Sequence, residues 1–327
     1  MESKDHSELC FPQLANLSCK KFMLESSEDV LNALLSLTCV LTVMLNLIVI
    51  VAISHFRQLH TPTNLLLLSL AVSDVLVGLL VWPTDIYLRT SCWAFGDVAC
   101  ICYQFVSFII VSTSVGNMVL ISVDRYIAIC DPLHYKERIT VNRIQLCVCL
   151  CWFLLSLYCC FLLRDHLVHP EKCRSCYGEC VVHSNVHDGI TVMVVIFILP
   201  LSIIVTLYTR VFMVAVSQAR AMRSHVTCGK VQNSIRLGPK KSELKAARTL
   251  GVVVLVFTAC FCPFYIFSLV GDLSFSSSAH YVLYLFNFNS CVNPLIYALF
   301  YPWFRRTVKH IVTLRILQPG SSGAKLV

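Results

Sequence analysis

Charge is scarce in this 327-residue chain. Only 13% of its residues are Asp, Glu, Lys or Arg, where a soluble domain carries about 25%. Glycine and proline are sparse too, at 11 each, which excludes collagen-like and low-complexity chains. The segment before Asp29 has no apolar run and no small-residue cleavage site, so it does not read as a secretory signal. Clustered His/Glu metal ligands, a nucleophile elbow and a glycine-rich phosphate loop are all missing, which argues against an enzyme. What the chain does have is 57% apolar residues and a mean hydropathy of +0.74. A water-soluble fold of this size could not cover that much apolar surface. A soluble two-domain enzyme, a disordered chain and a disulfide-stapled mini-protein are excluded, and an integral membrane protein remains.

A helix rising about 1.5 Å per residue needs about 20 apolar residues to cross a hydrocarbon core of about 30 Å. Seven segments qualify: Val30–Ser54, Asn64–Thr84, Val98–Val123, Ile144–Leu163, Gly189–Thr209, Thr249–Gly271 and Leu273–Phe304, the last with a loop-like start. They are too long and continuous to be barrel strands of about 10 residues. The expected architecture is an all-α seven-transmembrane helix bundle over residues 29–304, between an N-terminal segment, 1–28, and a tail, 305–327. Placing the N-terminus outside puts 19 of the Lys and Arg residues on the inner side and 7 on the outer. The positive-inside rule selects that orientation. The formal net charge of +8 then faces anionic inner-leaflet lipid, and nucleic acid is not needed to explain it. Asn16-Leu17-Ser18 is a glycosylation acceptor that this orientation makes usable. Cys10, Cys19, Cys92, Cys100, Cys173, Cys176 and Cys180 fall on the outer side, where disulfides persist. Their number is odd, so one stays unpaired or pairs between chains. Cys147, Cys149 and Cys151 do not suit a metal, because helical residues two apart point about 200° away from each other. They read as small packing residues.

Asp74 lies inside the second span, and an ionisable group in lipid is a functional candidate by default. Asn46, Ser114, Asn289, Ser290 and Asn293 lie at similar depth. Together they suit either a small-cation site or a hydrogen-bonded plug between helices. Asp124-Arg125-Tyr126 closes the third span at the inner face, and Asn293-Pro294-Leu295-Ile296-Tyr297 lies near the inner end of the last. Trp152, Pro200 and the Cys262-Pro263 pair mark spans four, five and six. In the tail, Phe304, Val308, Ile311 and Val312 recur at helical spacing among Arg305, Arg306 and Lys309, which suits a short interfacial eighth helix. No cysteine is there to carry a palmitoyl anchor. Gln318–Val327 reads as a disordered basic end.

The joint placement of these motifs resembles the rhodopsin-like (class A) G-protein-coupled receptors across all seven spans. The run from Ser54 to Asn64 and the run from Asn289 to Arg305 resemble trace amine-associated receptors, in a divergent, fish-like form. The resemblance implies a plasma-membrane receptor, N-terminus outside, for a small extracellular ligand, an amine or odorant. It implies a heterotrimeric G protein as partner, of the stimulatory type that raises cAMP, and a place in olfactory cilia. It implies a sodium ion at Asp74, Ser114, Asn289 and Asn293, and no other cofactor. It implies an Arg125–Glu243 lock at the inner face, a hinge at Pro263, and Tyr208 with Tyr297 as the pair that stabilises the open state. It also implies a Cys100–Cys180 disulfide, with Cys176 paired to Cys10 and Cys19 to Cys92.

The chain departs from that family at the ligand anchor. The aspartate that holds the ammonium in aminergic receptors, eighteen residues before the Arg, is Ser107 here. The alternative anchor in span five is replaced by Val192 or Met193. The acids left are Asp188, Asp85, Asp272 and Glu179, of which Asp188 lies one turn above Val192. Phe108, Val111, Phe261, Phe264, Tyr265 and Tyr284 would line the pocket, with Ser112 and Asn287 as polar points. A hydroxyl at Ser107 cannot neutralise an ammonium, so a non-amine ligand stays open. A transporter is the other alternative, though the halves are dissimilar and the span count is odd.

Overall fold

A computed structural model describes residues 8–11, 13, 18–21, 26–169, 176–181, 186–227, 241–270, 277–318 and 320–323. It is nearly all helix. The seven spans run Ser26–His55, Pro62–Thr90, Gly96–Cys130, Val141–Val168, Val186–Thr227, Lys241–Val270 and Ser277–Phe300. Apolar side chains surround most of them, because lipid leaves every peptide group to be satisfied within its own helix. Span three is central and packs on spans two, four, five and six, while span one packs on two and seven. Where spans three and four meet, a Cβ on Gly116 would lie 2.5 Å from Cys151 Sγ, so small residues set how near the two helices come. Cys151 is thus a packing residue, whereas Cys147, Cys149 and Cys160 are exposed on the outside of the bundle.

Several helices outrun the apolar windows. The second span continues past Thr84 to Thr90, and the fifth continues past Thr209 to Thr227. The windows end where polarity begins, but a helix needs only its own hydrogen bonds to go on. Spans two and five each contain a π turn, Val77–Val81 and Met193–Ile198. Pro200 follows the second of these. Cys39 Sγ of span one donates to the Gly78 carbonyl in the first of them at 2.9 Å. The seventh span ends at Phe300, and Pro302 at the first turn starts a separate helix, Pro302–Val312, at 99° to it. Phe304 therefore belongs to this eighth helix and not to the span. The tail beyond is not simply disordered. Ser321 Oγ lies 2.9 Å from His55 Nε2, and Gln58 Nε2 donates to the Gly323 carbonyl at 3.4 Å, fastening it to the inner end of span one.

The outer surface is closed by a disulfide-bonded cap. Strands Glu8–Leu9 and Lys20–Lys21 pair antiparallel, and Ser18 bridges to Tyr177. The structure joins Cys100 to Cys180, Cys10 to Cys92 and Cys19 to Cys176. The expected pairs Cys10–Cys176 and Cys19–Cys92 are thus exchanged. The physical reason is strand register: the Cys19 N–H donates to the Tyr177 carbonyl at 2.9 Å, which sets Cys19 beside Cys176. Cys10 meanwhile lies over Gly178, whose φ is +106° and whose missing Cβ would sit 2.7 Å from the Cys10 Cβ. The Trp93 N–H bonds the Gly178 carbonyl, bringing Cys92 to the same spot. Cys173 and Asn16 lie outside the described residues. Non-reducing peptide mapping should recover Cys10 with Cys92 and Cys19 with Cys176; a Cys10–Cys176 peptide would contradict this register.

Candidate functional site

Three layers of polar or aromatic side chains line the inside of the bundle. In the outer layer, span three presents Tyr103, Ser107, Phe108, Val111 and Ser112 at helical spacing. Phe108 is half-buried with its ring 6.3 Å from Tyr158, and Val111 packs beside it. Ser112 is buried, and the Ser107 hydroxyl is buried one turn from Tyr103. Tyr265 stacks on Phe197 at 4.3 Å, and Phe264 meets Phe286 at 4.9 Å. Phe261 lies below, stacked on Phe257 at 4.2 Å and against Phe286 at 4.3 Å. An indole in place of Phe261 would carry a donor, whereas this all-phenyl stack needs none. Pro263 interrupts the same helix just above and removes one of its backbone donors. Val192 and Asp188 are half-buried on the outer turns of span five.

Across the layer, Tyr284 stacks on Trp82 at 5.7 Å, with planes 9° apart. Asn287, one turn further along span seven, is 2% exposed and donates to Asp85 Oδ2 at 2.8 Å. Tyr103 donates to Asp85 Oδ1 at 2.7 Å. Asp85 was expected at a hydrated helix end. The extension of span two to Thr90 carries it into the bundle instead. Tyr103, Trp82 and Phe286 carry no sequence signal as site residues, since aromatic residues are common in any apolar span. Glu179 lies in the cap, and Asp272 lies outside the described residues.

In the middle layer Asp74 is fully buried. Asn293 Nδ2 donates to its Oδ2 at 2.9 Å and Ser114 Oγ to its Oδ1 at 3.5 Å. Asn289 is buried one turn from Asn293, and its side-chain carbonyl oxygen has no donor. Asp74 is thus held by one amide and one hydroxyl donor from spans seven and three. Asn46 Nδ2 ties span one to the Ser290 carbonyl at 2.9 Å. Trp152 Nε1 donates to Ser69 Oγ at 3.2 Å, and Ser69 donates to Asn117 Oδ1 at 2.9 Å, linking spans four, two and three.

At the inner layer Asp124 is 1% exposed and collects four donors. Arg125 Nε reaches its Oδ2 at 2.9 Å and Nη2 at 2.5 Å. Thr63 Oγ1 donates to Oδ2 at 2.8 Å, and Tyr135 OH to Oδ1 at 2.8 Å. Arg125 also meets Thr63. Thr63 and Tyr135 flank the recognised motifs but had no role readable from sequence. Beside this cluster, the His134 ring and the nearby Arg138 hold the exposed Asp131 carboxyl below the usual carboxylate range. Tyr126 is half-buried next to Arg125. Tyr208 and Tyr297 make no hydrogen bond to each other among the described residues, and Tyr297 is buried against Tyr301 with ring centroids 6.0 Å apart. Glu243 falls on the sixth helix, but its side chain lies outside the described residues.

Comparison with known proteins agrees with this arrangement. The pattern of the family described as 7 transmembrane receptor (rhodopsin family) matches residues 45–297. Trace amine-associated receptor 13c of Danio rerio is 36% identical, covering 98% of this chain and 97% of its own. Trace amine-associated receptor 1 of Mus musculus is 37% identical over 90% of this chain and 92% of its own. The Homo sapiens receptor of that name is 35% identical over 96% of each.

The inner cluster makes its own prediction for stability. Asp124→Ala strands a buried guanidinium and should cost about 3–5 kcal/mol. Tyr135→Phe removes one hydrogen bond to a charged group and should cost about 1.5–3 kcal/mol. Thermal unfolding of the purified variants checks the ranking; equal losses would contradict the assigned network.

Proposed function

The chain belongs to the rhodopsin family of seven-transmembrane receptors, among the trace amine-associated receptors, and on that premise we propose that it senses a small protonated amine outside the cell and raises cAMP through a stimulatory G protein. As a member of this family it is a receptor and not an enzyme, and its partners are a small molecule and a heterotrimeric G protein. The observation that carries the finer reading is the charged cluster at the inner end of span three, on the same helix as the aromatic layer that we read as the ligand chamber. Asp188 and Asp85 border that chamber and give an amine a carboxylate to meet. A neutral odorant is the second reading, favoured by the hydroxyl of Ser107 at the family's anchor position.

The inward excess of Lys and Arg supports an N-terminus, with Asn16, on the outer side, and the family resemblance supports the plasma membrane. Olfactory cilia are the setting that the family resemblance supports. Arg125 is the group that couples to the G protein. Glu243 restrains it in the ligand-free state, a role supported by its being the one acid among nine basic residues between Arg210 and Arg248. Opening about Pro263 frees Arg125 and brings Tyr208 towards Tyr297. Asp74, Ser114, Asn289 and Asn293 hold a sodium ion that favours the closed state, which the donorless oxygen of Asn289 supports.

A second-messenger screen with amines and matched alcohols tests this. Arg125→Ala should abolish the response while surface expression persists, and Glu243→Ala should raise ligand-free signalling. Asp74→Asn should remove the sodium effect on agonist potency. Unchanged basal signalling in Glu243→Ala, or a sodium effect that survives Asp74→Asn, would contradict these roles.

A further inference from the structure

Ser107 leaves a protonated ligand without the carboxylate of span three, yet the outer half of the bundle still holds a half-buried carboxylate. Asp85 sits between spans two, three and seven. Its two oxygens accept from Tyr103 at 2.7 Å and from Asn287 at 2.8 Å. Both donors are neutral, and among the described residues no ion pair reaches Asp85. The basic group one turn away, Arg89, has its guanidinium carbon over the Tyr284 ring, 6.0 Å from the centroid. A carboxylate offers about four acceptor positions, so two bonds leave capacity for another donor. An ionisable group inside a membrane span is costly and is a functional candidate by default.

The backbone around Asp85 is built to aim it inward. The π turn Val77–Val81 inserts one extra residue just before Trp82 and rotates the outer end of the helix. Trp82, three residues before Asp85, is buried flat against Tyr284, in a cluster that includes Leu35 of span one. Tyr103 lies one turn above Ser107 on span three, so Asp85 is reached from the same wall as the Ser107 hydroxyl.

Resting on the reading of this outer layer as the ligand chamber, we propose that Asp85 is the counter-ion for a protonated amine, replacing the missing carboxylate of span three. The ammonium meets Asp85 beside Tyr103 and Ser107. The organic body points towards Phe108 and span five. A compact monoamine then suffices, because its one charge has a partner close to the usual wall.

The test is thermal unfolding of the purified full chain in lipid nanodiscs, with benzylamine and pentylamine as probes and benzyl alcohol and pentanol as their neutral counterparts. The amines should raise the wild-type unfolding midpoint more than the alcohols do. In Asp85→Asn the apparent Kd for the amines should rise about thirtyfold or more, since one member of a buried charged pair is lost. Without ligand, Asp85→Asn should unfold at or above the wild-type temperature, because an uncompensated charge has been removed. A merely structural tie would move that midpoint down. The proposal is overturned if no amine stabilises the wild type, or if Asp85→Asn keeps the amine effect. It is also overturned if Asp188→Asn alone removes the effect, or if ligand-free Asp85→Asn unfolds well below wild type. Nucleotide exchange on added heterotrimer by the same wild-type preparation tests the receptor reading separately. Exchange without amine stabilisation sinks only the role of Asp85.

Discussion

Hydrocarbon offers no hydrogen bonds, and the organisation of this protein follows from that constraint. Backbone groups are satisfied within each helix, so the few polar side chains inside the spans must find each other. They do so as cross-span ties. Asn46 reaches the Ser290 carbonyl, Asn293 and Ser114 reach Asp74, and Trp152 reaches Ser69, which reaches Asn117. Each tie joins two helices that lipid alone would not hold in register, because apolar contacts between helices compete with equally apolar lipid. Places where the backbone departs from a regular helix, at Val77–Val81, Met193–Ile198, Pro263 and Pro294, lie along the same interior.

Span three connects the layers. Cys100 anchors its outer end to Cys180, Tyr103 and Ser107 face the chamber, Ser114 meets Asp74, and Asp124 with Arg125 closes the inner end. A ligand that shifts this helix, or the helices packed on it, acts on all three layers at once. The aromatic stack of Phe257, Phe261 and Phe286 lies between the chamber and the inner cluster, on the two spans that proline weakens. Rings in that stack can slide without breaking hydrogen bonds, which suits an element with two packings.

The seven spans were legible because apolar runs of this length have one explanation. Their ends were not, since a helix leaves the membrane without changing its own bonds, as at Thr84 and Thr209. The inner motif at Asp124 and Arg125 was legible by resemblance, but its partners Thr63 and Tyr135 were not, because both come from other elements. The disulfide pairing Cys10–Cys176 was misread because strand register, not cysteine spacing, sets which sulfurs meet. Asp85 was legible only as one of four remaining acids. Its partner Asn287 is 202 residues away, and only packing brings those two together.

In the proposed function, binding in the outer layer of the bundle releases the charged cluster at its inner end. The decisive measurement is guanine-nucleotide exchange on a purified heterotrimeric G protein, catalysed by the purified chain in lipid nanodiscs with and without a small amine. Exchange should rise with the amine and be lost in Arg125→Ala. Exchange that ignores every amine and neutral probe, or solute flux through the chain in its place, would contradict it.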